Sequence, residues 1–361
     1  MEPLHHARTI RTASGPQDST DALRQREHTG APITRRGRPR RRIARRALVA
    51  ASLLVVGVIA GATLFGGTSP VGHFRSAEGH TAYLDAYDEA LAEGPAVSEQ
   101  LTVPTDYGDV RVLHYDADDS ATADADPLVL LPGTQSGAPM WTDNIPALRA
   151  QRSVYVVDLL GQPGRSVQAR PIETHEDEAR WLAQVMNALP GDPAVMGHSL
   201  GGWLAMNLAV HEPRAAAQVI VLDPVQTFSS LSFDAIVRSI PASVPWTPRS
   251  WRDAFASWTA NDAPVDEEPV ADMIEAGMQH YALGTPTPTR FTDEQLAAVN
   301  APVLLIMAGR SRMHDAASAV EAAERTLDDG TVLTYEEASH AINGEEPNRI
   351  AEDVSAFLRQ N

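Results

Sequence analysis

A serine with glycines on both sides is the strongest chemical signal in this sequence. Residues 197–202 read Gly-His-Ser-Leu-Gly-Gly, directly after an apolar strand-like stretch and directly before an apolar helix-like stretch. In that setting, a G-x-S-x-G pattern is typical of a sharp turn that raises the serine hydroxyl above a sheet. Glycine two residues to either side avoids collisions with the neighbouring strand and helix. The pattern predicts Ser199 as a nucleophile, and the alternative is a glycine-rich turn with an incidental serine.

Attack by a serine on a carbonyl creates an oxyanion that needs hydrogen-bond donors. The backbone N–H of Leu200, at the start of the predicted helix, is one expected donor. The other is expected from the glycine-containing loop at residues 132–137, after a predicted strand at residues 128–131. Thr134 is the predicted donor in that loop. Gln135 is a second candidate, which we also expect to contact substrate.

A serine nucleophile needs a general base, and histidine titrates in the suitable pH range. Of the 12 histidines, His340 follows the last predicted strand and precedes the final predicted helix. It is the predicted base. His198 is too close to Ser199 along the chain to serve as the base, and we expect it to line the substrate site.

Short apolar stretches alternate with amphipathic ones along most of the chain. The predicted strands from residue 128 onward are residues 128–131, 154–157, 194–196, 219–222, 303–307 and 332–335. Helix-like stretches separate them, and alternation of this kind predicts an α/β fold with a mostly parallel sheet flanked by helices.

In this setting the motifs resemble the α/β-hydrolase superfamily of serine esterases, lipases and haloperoxidase-like enzymes. The resemblance covers roughly residues 83–358, and it includes the oxyanion loop, the turn at residues 158–166 and the ending Ser339-His340-Ala341. It implies a Ser-His-acid triad in which the base follows the nucleophile along the chain. It also implies that Trp141 contributes to substrate binding. Pro132 replaces a histidine that begins the oxyanion loop in many members.

The triad acid is where the sequence departs from this family. The acid usually lies three residues after the glycine that closes the penultimate strand, but here that glycine is Gly309 and the third residue is Arg312. Two carboxylates remain candidates. Asp223 follows the strand at residues 219–222, and Asp315 lies six residues beyond Gly309. We favour Asp223, because a carboxylate at a strand end is held more rigidly than one in a loop.

About 80 residues separate Asp223 from the next core strand, far more than the 2–6 residues of a plain connection. Residues 224–300 contain three helix-like stretches, several prolines, and many aromatic and methionine side chains. We predict a helical cap within a hydrolase domain at residues 79–361. Some of its apolar side chains are expected to line a substrate cleft, although each could instead pack the cap against the main domain.

The N-terminal region differs from the rest in charge. Residues 1–46 carry 12 arginines and a net charge of +8, against −26 for the remaining residues. They contain too few apolar residues to form a core, which predicts a disordered basic tail. Residues 47–65 include no charged side chain, and as a helix they would be roughly 28 Å long, enough to cross a bilayer. We predict one transmembrane helix at residues 47–67 that contacts membrane lipid, and a linker at residues 68–78.

Arginines on the N-terminal side of the span predict a cytoplasmic tail and a domain on the extracytoplasmic side of the cell membrane. The alternative is a cleaved signal peptide and a secreted protein. The basic cluster also resembles an AT-hook, but its place before the span is better explained as an orientation signal, so nucleic-acid binding is not expected. The sequence does not indicate an oligomeric state.

Composition excludes several kinds of chemistry. The chain contains no cysteine and no lysine, which removes disulfides, thiolate metal sites and Schiff-base catalysis. No metal-ligand cluster and no dinucleotide motif is visible, so neither a metal nor a cofactor is expected. The predicted function is hydrolysis of a small or medium apolar ester, or a lactonase or cofactor-free perhydrolase reaction with the same residues. The alternative is a non-catalytic surface protein on a hydrolase scaffold.

Overall fold

The computed structural model describes residues 69–119, 125–265 and 268–360. The predicted basic tail at residues 1–46 and the predicted membrane span at residues 47–67 lie outside these ranges. Within them, no helix combines the length and the apolar character needed to cross a membrane. The membrane anchor therefore stays a prediction.

The main sheet carries most of the fold. The strands of the described residues are β1 (His73–Phe74), β2 (Glu99–Thr105), β3 (Gly108–Tyr115), β4 (Leu128–Leu131), β5 (Val154–Val157), β6 (Val167–Gln168), β7 (Ala194–His198), β8 (Val219–Leu222), β9 (Tyr281–Ala282), β10 (Val303–Ala308) and β11 (Gly330–Tyr335). The sheet order is β11-β10-β8-β7-β4-β5-β3-β2, with β6 paired to β3.

Strand direction divides this sheet into two parts. In the part of the sheet ordered β11-β10-β8-β7-β4-β5, every pairing is parallel. The pairings of β3 with β2, β5 and β6 are antiparallel. Parallel strands are covered on both faces, which is why β8 is an uninterrupted apolar run, Val-Ile-Val-Leu. The predicted α/β architecture with flanking helices is confirmed, and the antiparallel strands make the sheet mixed.

Helices cover both faces of the sheet. They are α1 (Ala77–Ala92), α2 (Ile145–Arg149), α3 (His175–Ala188), α4 (Leu200–His211), α5 (Phe233–Ser243), α6 (Arg249–Thr259), α7 (Pro269–His280), α8 (Asp293–Ala297), α9 (Ala316–Thr326), α10 (Ile342–Glu345) and α11 (Pro347–Leu358). Alternate residues of β8 enter opposite core clusters: Val219 and Val221 pack with α3 and α4, and Ile220 and Leu222 pack with α1 and α11. This alternation is the period of two expected of a strand.

The register of the parallel strands brings their carboxyl ends to one edge. Leu131 of β4 pairs with Gly197 of β7, His198 pairs with Leu222 of β8, and Leu222 also pairs with Ile306 of β10. The loops that follow these strands are therefore neighbours in space. At this edge of an open α/β sheet, side chains from distant parts of the sequence can meet.

Four helices, α5, α6, α7 and the short α8, lie between β8 and β10, within the predicted cap at residues 224–300. They are tied to the beginning of the domain, because α7 packs along α1 and β9 pairs with β1. The apolar side chains of this region fall into two groups. Trp258, Met273 and Met278 are buried, whereas Phe233, Ile236, Val237, Trp246 and Trp251 are exposed.

A buried ion pair joins α6 to α7. The Arg252 side chain is 2% exposed, and its Nε donates to Glu275 Oε1 at 2.8 Å, with a second bond from the same guanidinium. Another guanidinium nitrogen donates to Thr247 O at 2.7 Å. A second ion pair, between Arg249 and Asp272, joins the same two helices at the surface.

These two ion pairs should differ in their contribution to stability. Glu275→Ala leaves a buried guanidinium without its carboxylate, so we expect a loss of about 3 kcal/mol in the free energy of unfolding. Arg249→Ala breaks an exposed pair and should cost less than about 1 kcal/mol. Urea unfolding of both variants measures the difference. Equal losses would show that burial does not distinguish the two pairs.

Candidate active site

The turn between β7 and α4 holds Ser199 in a strained backbone conformation. Its φ is 54° and its ψ is −115°, outside the regions that residues other than glycine ordinarily occupy. Such strain costs about 1–3 kcal/mol and persists only where the surroundings enforce it. Here the Ser199 N–H donates to Leu222 O, and its C=O accepts from the Trp203 N–H, both at 3.1 Å. The sheet and the helix thus hold the residue from both sides.

Two glycines make this turn sterically possible. A Cβ on Gly197 would lie 2.1 Å from the backbone carbon of Gly201, and a Cβ on Gly201 would lie 2.1 Å from Leu131 O. Neither neighbour can move aside, because both contacts are with backbone atoms. The serine turn, its helix and the end of β4 are therefore packed directly against one another.

The structure brings Ser199, His340 and Asp223 together, although they are far apart in sequence. His340 Nδ1 lies 2.6 Å from Asp223 Oδ2, and His340 Nε2 lies 3.0 Å from Ser199 Oγ. A carboxylate can only accept, so Nδ1 carries the proton and the unprotonated Nε2 accepts from the serine hydroxyl. All three side chains are buried. This arrangement can take a proton from Ser199 as the hydroxyl attacks a carbonyl.

Four donors surround the fully buried Asp223 carboxylate. Oδ2 accepts from His340 and from the Ser311 hydroxyl at 2.6 Å, and Oδ1 accepts from His314 Nε2 at 3.0 Å and from the Ala308 N–H at 3.3 Å. Ser311 and His314 were missed in the sequence, because no local motif marks a residue that contacts a distant carboxylate. Within the described ranges, no group of three or more His, Asp or Glu residues could hold a metal ion.

These contacts keep Asp223 ionised. Burial alone would raise the pKa of its carboxyl group, but the charge of His314 and the hydrogen bonds from His314 and His340 outweigh it. The net effect holds the pKa of Asp223 below its usual range. The Asp223 carboxylate therefore stays charged at neutral pH.

Asp315, the alternative acid, lies elsewhere. It is exposed at the beginning of α9, where its Oδ1 accepts from the Ser318 N–H at 3.0 Å. This is an ordinary helix N-cap. The carboxylate that reaches His340 is that of Asp223.

The predicted oxyanion loop lies against the serine turn. A Cβ on Gly133 would be 3.7 Å from Ser199 Cβ. The N–H of Gln135, which has a φ of 57°, donates to Gln162 Oε1 at 2.9 Å. Because the Gln135 N–H already donates to Gln162, the Thr134 N–H is the better candidate for an oxyanion donor in this loop. Gln162 was not predicted, although it belongs to the turn at residues 158–166 that the sequence singled out.

The two remaining candidates occupy different environments. His198 Nε2 donates to His340 O at 2.7 Å, and burial, followed by the charge of His340, lowers the pKa of His198 to about 3. His198 is thus a neutral residue that holds the His340 backbone. Trp141 is fully buried in the core among α1 and β4 side chains. Such a position fits packing of the domain rather than the substrate contact predicted for it.

Comparisons with known proteins identify the fold and the family. A model of the alpha/beta hydrolase family matches residues 128–353. The chain belongs to this family. The predicted resemblance is confirmed, as is the prediction of an enzyme of the α/β-hydrolase type that is similar to carboxylic ester hydrolases.

Individual known proteins also align with most of the chain. Carboxylesterase YbfK of Bacillus subtilis is 27% identical over 79% of this chain and 96% of its own length. A second carboxylesterase of that organism, nap, is 28% identical over 76% and 92%. The crystal structure of naproxen esterase from Bacillus subtilis superposes with a TM-score of 0.72 at 25% identity, covering 79% of this chain and 99% of that one.

The packing of the serine turn predicts a steep penalty at Gly201. Gly201→Ala puts a methyl group within 2.1 Å of Leu131 O, so we expect a loss of at least about 3 kcal/mol of stability or failure to fold. Gly344→Ala is the matched control, because no atom lies within 4 Å of its added Cβ. Thermal unfolding of both variants measures the difference, and a stable Gly201→Ala variant would contradict this account of the turn.

Proposed function

We propose that the protein is a carboxylesterase that cleaves small or medium apolar esters through an acyl-enzyme on Ser199. The observation that carries this proposal is the chain of contacts Ser199 Oγ to His340 Nε2, 3.0 Å, and His340 Nδ1 to Asp223 Oδ2, 2.6 Å. The names of the Bacillus relatives, both carboxylesterases, support the same activity.

In the first half of the proposed reaction, Ser199 Oγ attacks the ester carbonyl carbon while His340 Nε2 takes the hydroxyl proton. The carbonyl oxygen becomes an oxyanion, which accepts hydrogen bonds from the backbone N–H groups of Thr134 and Leu200. The tetrahedral intermediate collapses when protonated His340 donates the proton to the alcohol oxygen. The C–O bond of the ester breaks, the alcohol leaves and the acyl group remains on Ser199.

The second half repeats these steps with water. His340 takes a proton from water as the water oxygen attacks the acyl carbon, and the same two N–H groups hold the oxyanion. His340 then returns the proton to Ser199 Oγ, and the carboxylic acid leaves. In both halves the Asp223 carboxylate keeps the Nδ1 proton in place and stabilises the imidazolium.

The Asp223 contact also bears on the alternative of a non-catalytic binding protein. That alternative depended on the absence of an acid at Arg312. A carboxylate 2.6 Å from His340 Nδ1 supports catalysis instead.

Substitution of each triad residue tests this proposal. We expect Ser199→Ala and His340→Ala to lower kcat/KM for p-nitrophenyl butyrate by about 10⁴-fold or more, because nucleophile and base act as a unit. Asp223→Asn should cost about 10³–10⁴-fold, since an amide favours the wrong tautomer of His340. Asp315→Asn is the matched control and should retain nearly full activity. A folded Ser199→Ala variant with wild-type activity would exclude the mechanism, and a large loss only in Asp315→Asn would assign the acid to Asp315.

We further propose that residues 47–67 anchor the protein in the cell membrane by a single helix, with the hydrolase domain on the extracytoplasmic side. The support is in the sequence: 19 residues without a charge follow a segment with 12 arginines, and such arginines are retained in the cytoplasm. The alternative is a signal peptide that is cleaved to release a secreted enzyme.

Protease treatment of intact cells tests this topology. We expect the hydrolase domain to be digested while an epitope tag before residue 1 stays protected, and we expect both to be digested after lysis. A domain that is protected until lysis would exclude the orientation. Active enzyme in the medium that lacks residues 1–46 would favour signal cleavage.

A further inference from the structure

A second histidine, His314, contacts the proposed catalytic acid. Its Nε2 lies 3.0 Å from Asp223 Oδ1, and the two side chains are 1% and 0% exposed. Because the carboxylate can only accept, His314 Nε2 carries a proton. Asp223 thus stands between two histidines, with His314 on Oδ1 and His340 on Oδ2.

We propose that His314 is a positioning residue of the active site, which shares the Asp223 carboxylate with His340 and so limits how strongly that carboxylate stabilises protonated His340. This inference rests on the proposed function, because it assigns to His314 an influence on the catalytic base. His314 acts through Asp223 and does not itself contact Ser199 or substrate.

The hydrogen bond from His314 to Asp223 Oδ1 also affects the other carboxylate oxygen, Oδ2. A donor at Oδ1 draws electron density from the carboxylate, which weakens Oδ2 as an acceptor for His340. Burial has the largest influence on the pKa of Asp223 and raises it. The charge of His314 has the second largest influence and lowers it. His314 therefore makes the carboxylate a weaker partner for the imidazolium of His340.

The charge state of His314 follows from its neighbours. Burial lowers the pKa of His314, but the charge and hydrogen bond of Asp223, with a smaller contribution from Asp315, outweigh burial and raise it. The titratable groups that face this cluster are Asp223, His340, Asp315 and His198, whose ring centroid lies 4.8 Å from that of His340. The nearby Arg312 is paired with Asp262. His314 therefore carries more positive charge than a free histidine at the same pH.

The backbone around His314 is fixed by the segment that leads into α5. His314 forms an antiparallel bridge with Leu231, the Ser232 N–H donates to Met313 O at 2.7 Å, and the Ser232 hydroxyl donates to Arg312 O at 2.9 Å. These bonds fix the backbone that carries the His314 ring, and the hydrogen bond to Asp223 Oδ1 holds the ring itself. A fixed donor on Oδ1 also fixes the plane of the carboxylate and thus the direction from which His340 is held.

The test compares His314→Leu with His314→Gln in the full-length protein, with kcat/KM for p-nitrophenyl butyrate measured across pH. In His314→Leu, Oδ2 of Asp223 becomes a stronger acceptor and stabilises protonated His340 more than in the wild type. Because the neutral base is the active form, we expect the acid limb to move to higher pH by roughly half to one unit. The plateau should fall about tenfold as the carboxylate loses its fixed orientation. In His314→Gln, the amide can still donate to Asp223, so the acid limb and the plateau should both lie close to those of the wild type.

A control and a second readout separate this proposal from a purely structural role. His211→Gln removes a histidine at the far end of α4, roughly 16 Å along the helix from Leu200, and should leave the profile unchanged. An activity loss in His314→Leu with an unshifted acid limb, or an unchanged profile in both variants, would overturn the proposal. If His314→Leu does not fold, a profile of His314→Gln that equals that of His314→Asn, whose amide is too short to reach Oδ1, would overturn it as well.

The low-field proton resonance of the His340 Nδ1–H···Asp223 hydrogen bond can be measured without any substrate. We expect it to move further downfield in His314→Leu, because Oδ2 becomes a stronger acceptor. Failure of the proposed function would appear as a wild-type protein that hydrolyses no ester, whereas failure of this inference would appear as an unmoved resonance in a folded variant.

Discussion

The buried carboxylate of Asp223 is the constraint on which the rest of the active site depends. An ionised side chain that is 0% exposed is stable only when its lone pairs are met by donors. Those donors come from separate parts of the chain: the end of β10, the loop at residues 309–315 and the loop after β11. Removing any one donor leaves the buried charge of Asp223 less well compensated, which costs stability. The carboxylate therefore fixes the relative positions of three segments, and His340 lies on one of them.

The same region contains strained backbone. Ser199, Asp223 and Gln135 have φ values of 54°, 41° and 57°, although none is glycine. Ser199 and Asp223 directly follow the carboxyl ends of β7 and β8, and Gln135 lies in the loop after β4. The register of β4, β7 and β8 puts these turns side by side, so the energy of packing the sheet maintains the strained geometry. The proposed nucleophile, donor loop and acid are thereby held next to rigid strand ends.

Local sequence patterns predicted the parts of the structure that depend on local interactions. The alternation of apolar and amphipathic stretches was sufficient to predict the core strands and helices. The glycines around Ser199 predicted the turn in which it lies. The structure differs where tertiary contacts decide. Two-residue strands such as β1 and β9 are too short to show a period. No spacing rule connects Asp223 with His314, 91 residues away. Trp141 has the sequence context of a site residue, but its indole ring is needed to fill the core.

The position at which this family usually carries its acid has a different use in this chain. Arg312, three residues after Gly309, makes two parallel bonds of 2.8 and 2.7 Å to Asp262, just beyond the end of α6. At the same end of that helix, Thr259 O accepts from the N–H of His340 at 3.2 Å. An aspartate at position 312 would face Asp262 with like charge and would weaken the contact beside His340, the proposed base. With Asp223 as the proposed acid, position 312 carries a cation whose ion pair joins the loop after β10 to the segment after α6. The backbone of His340 is therefore held by the inserted helices as well as by the core.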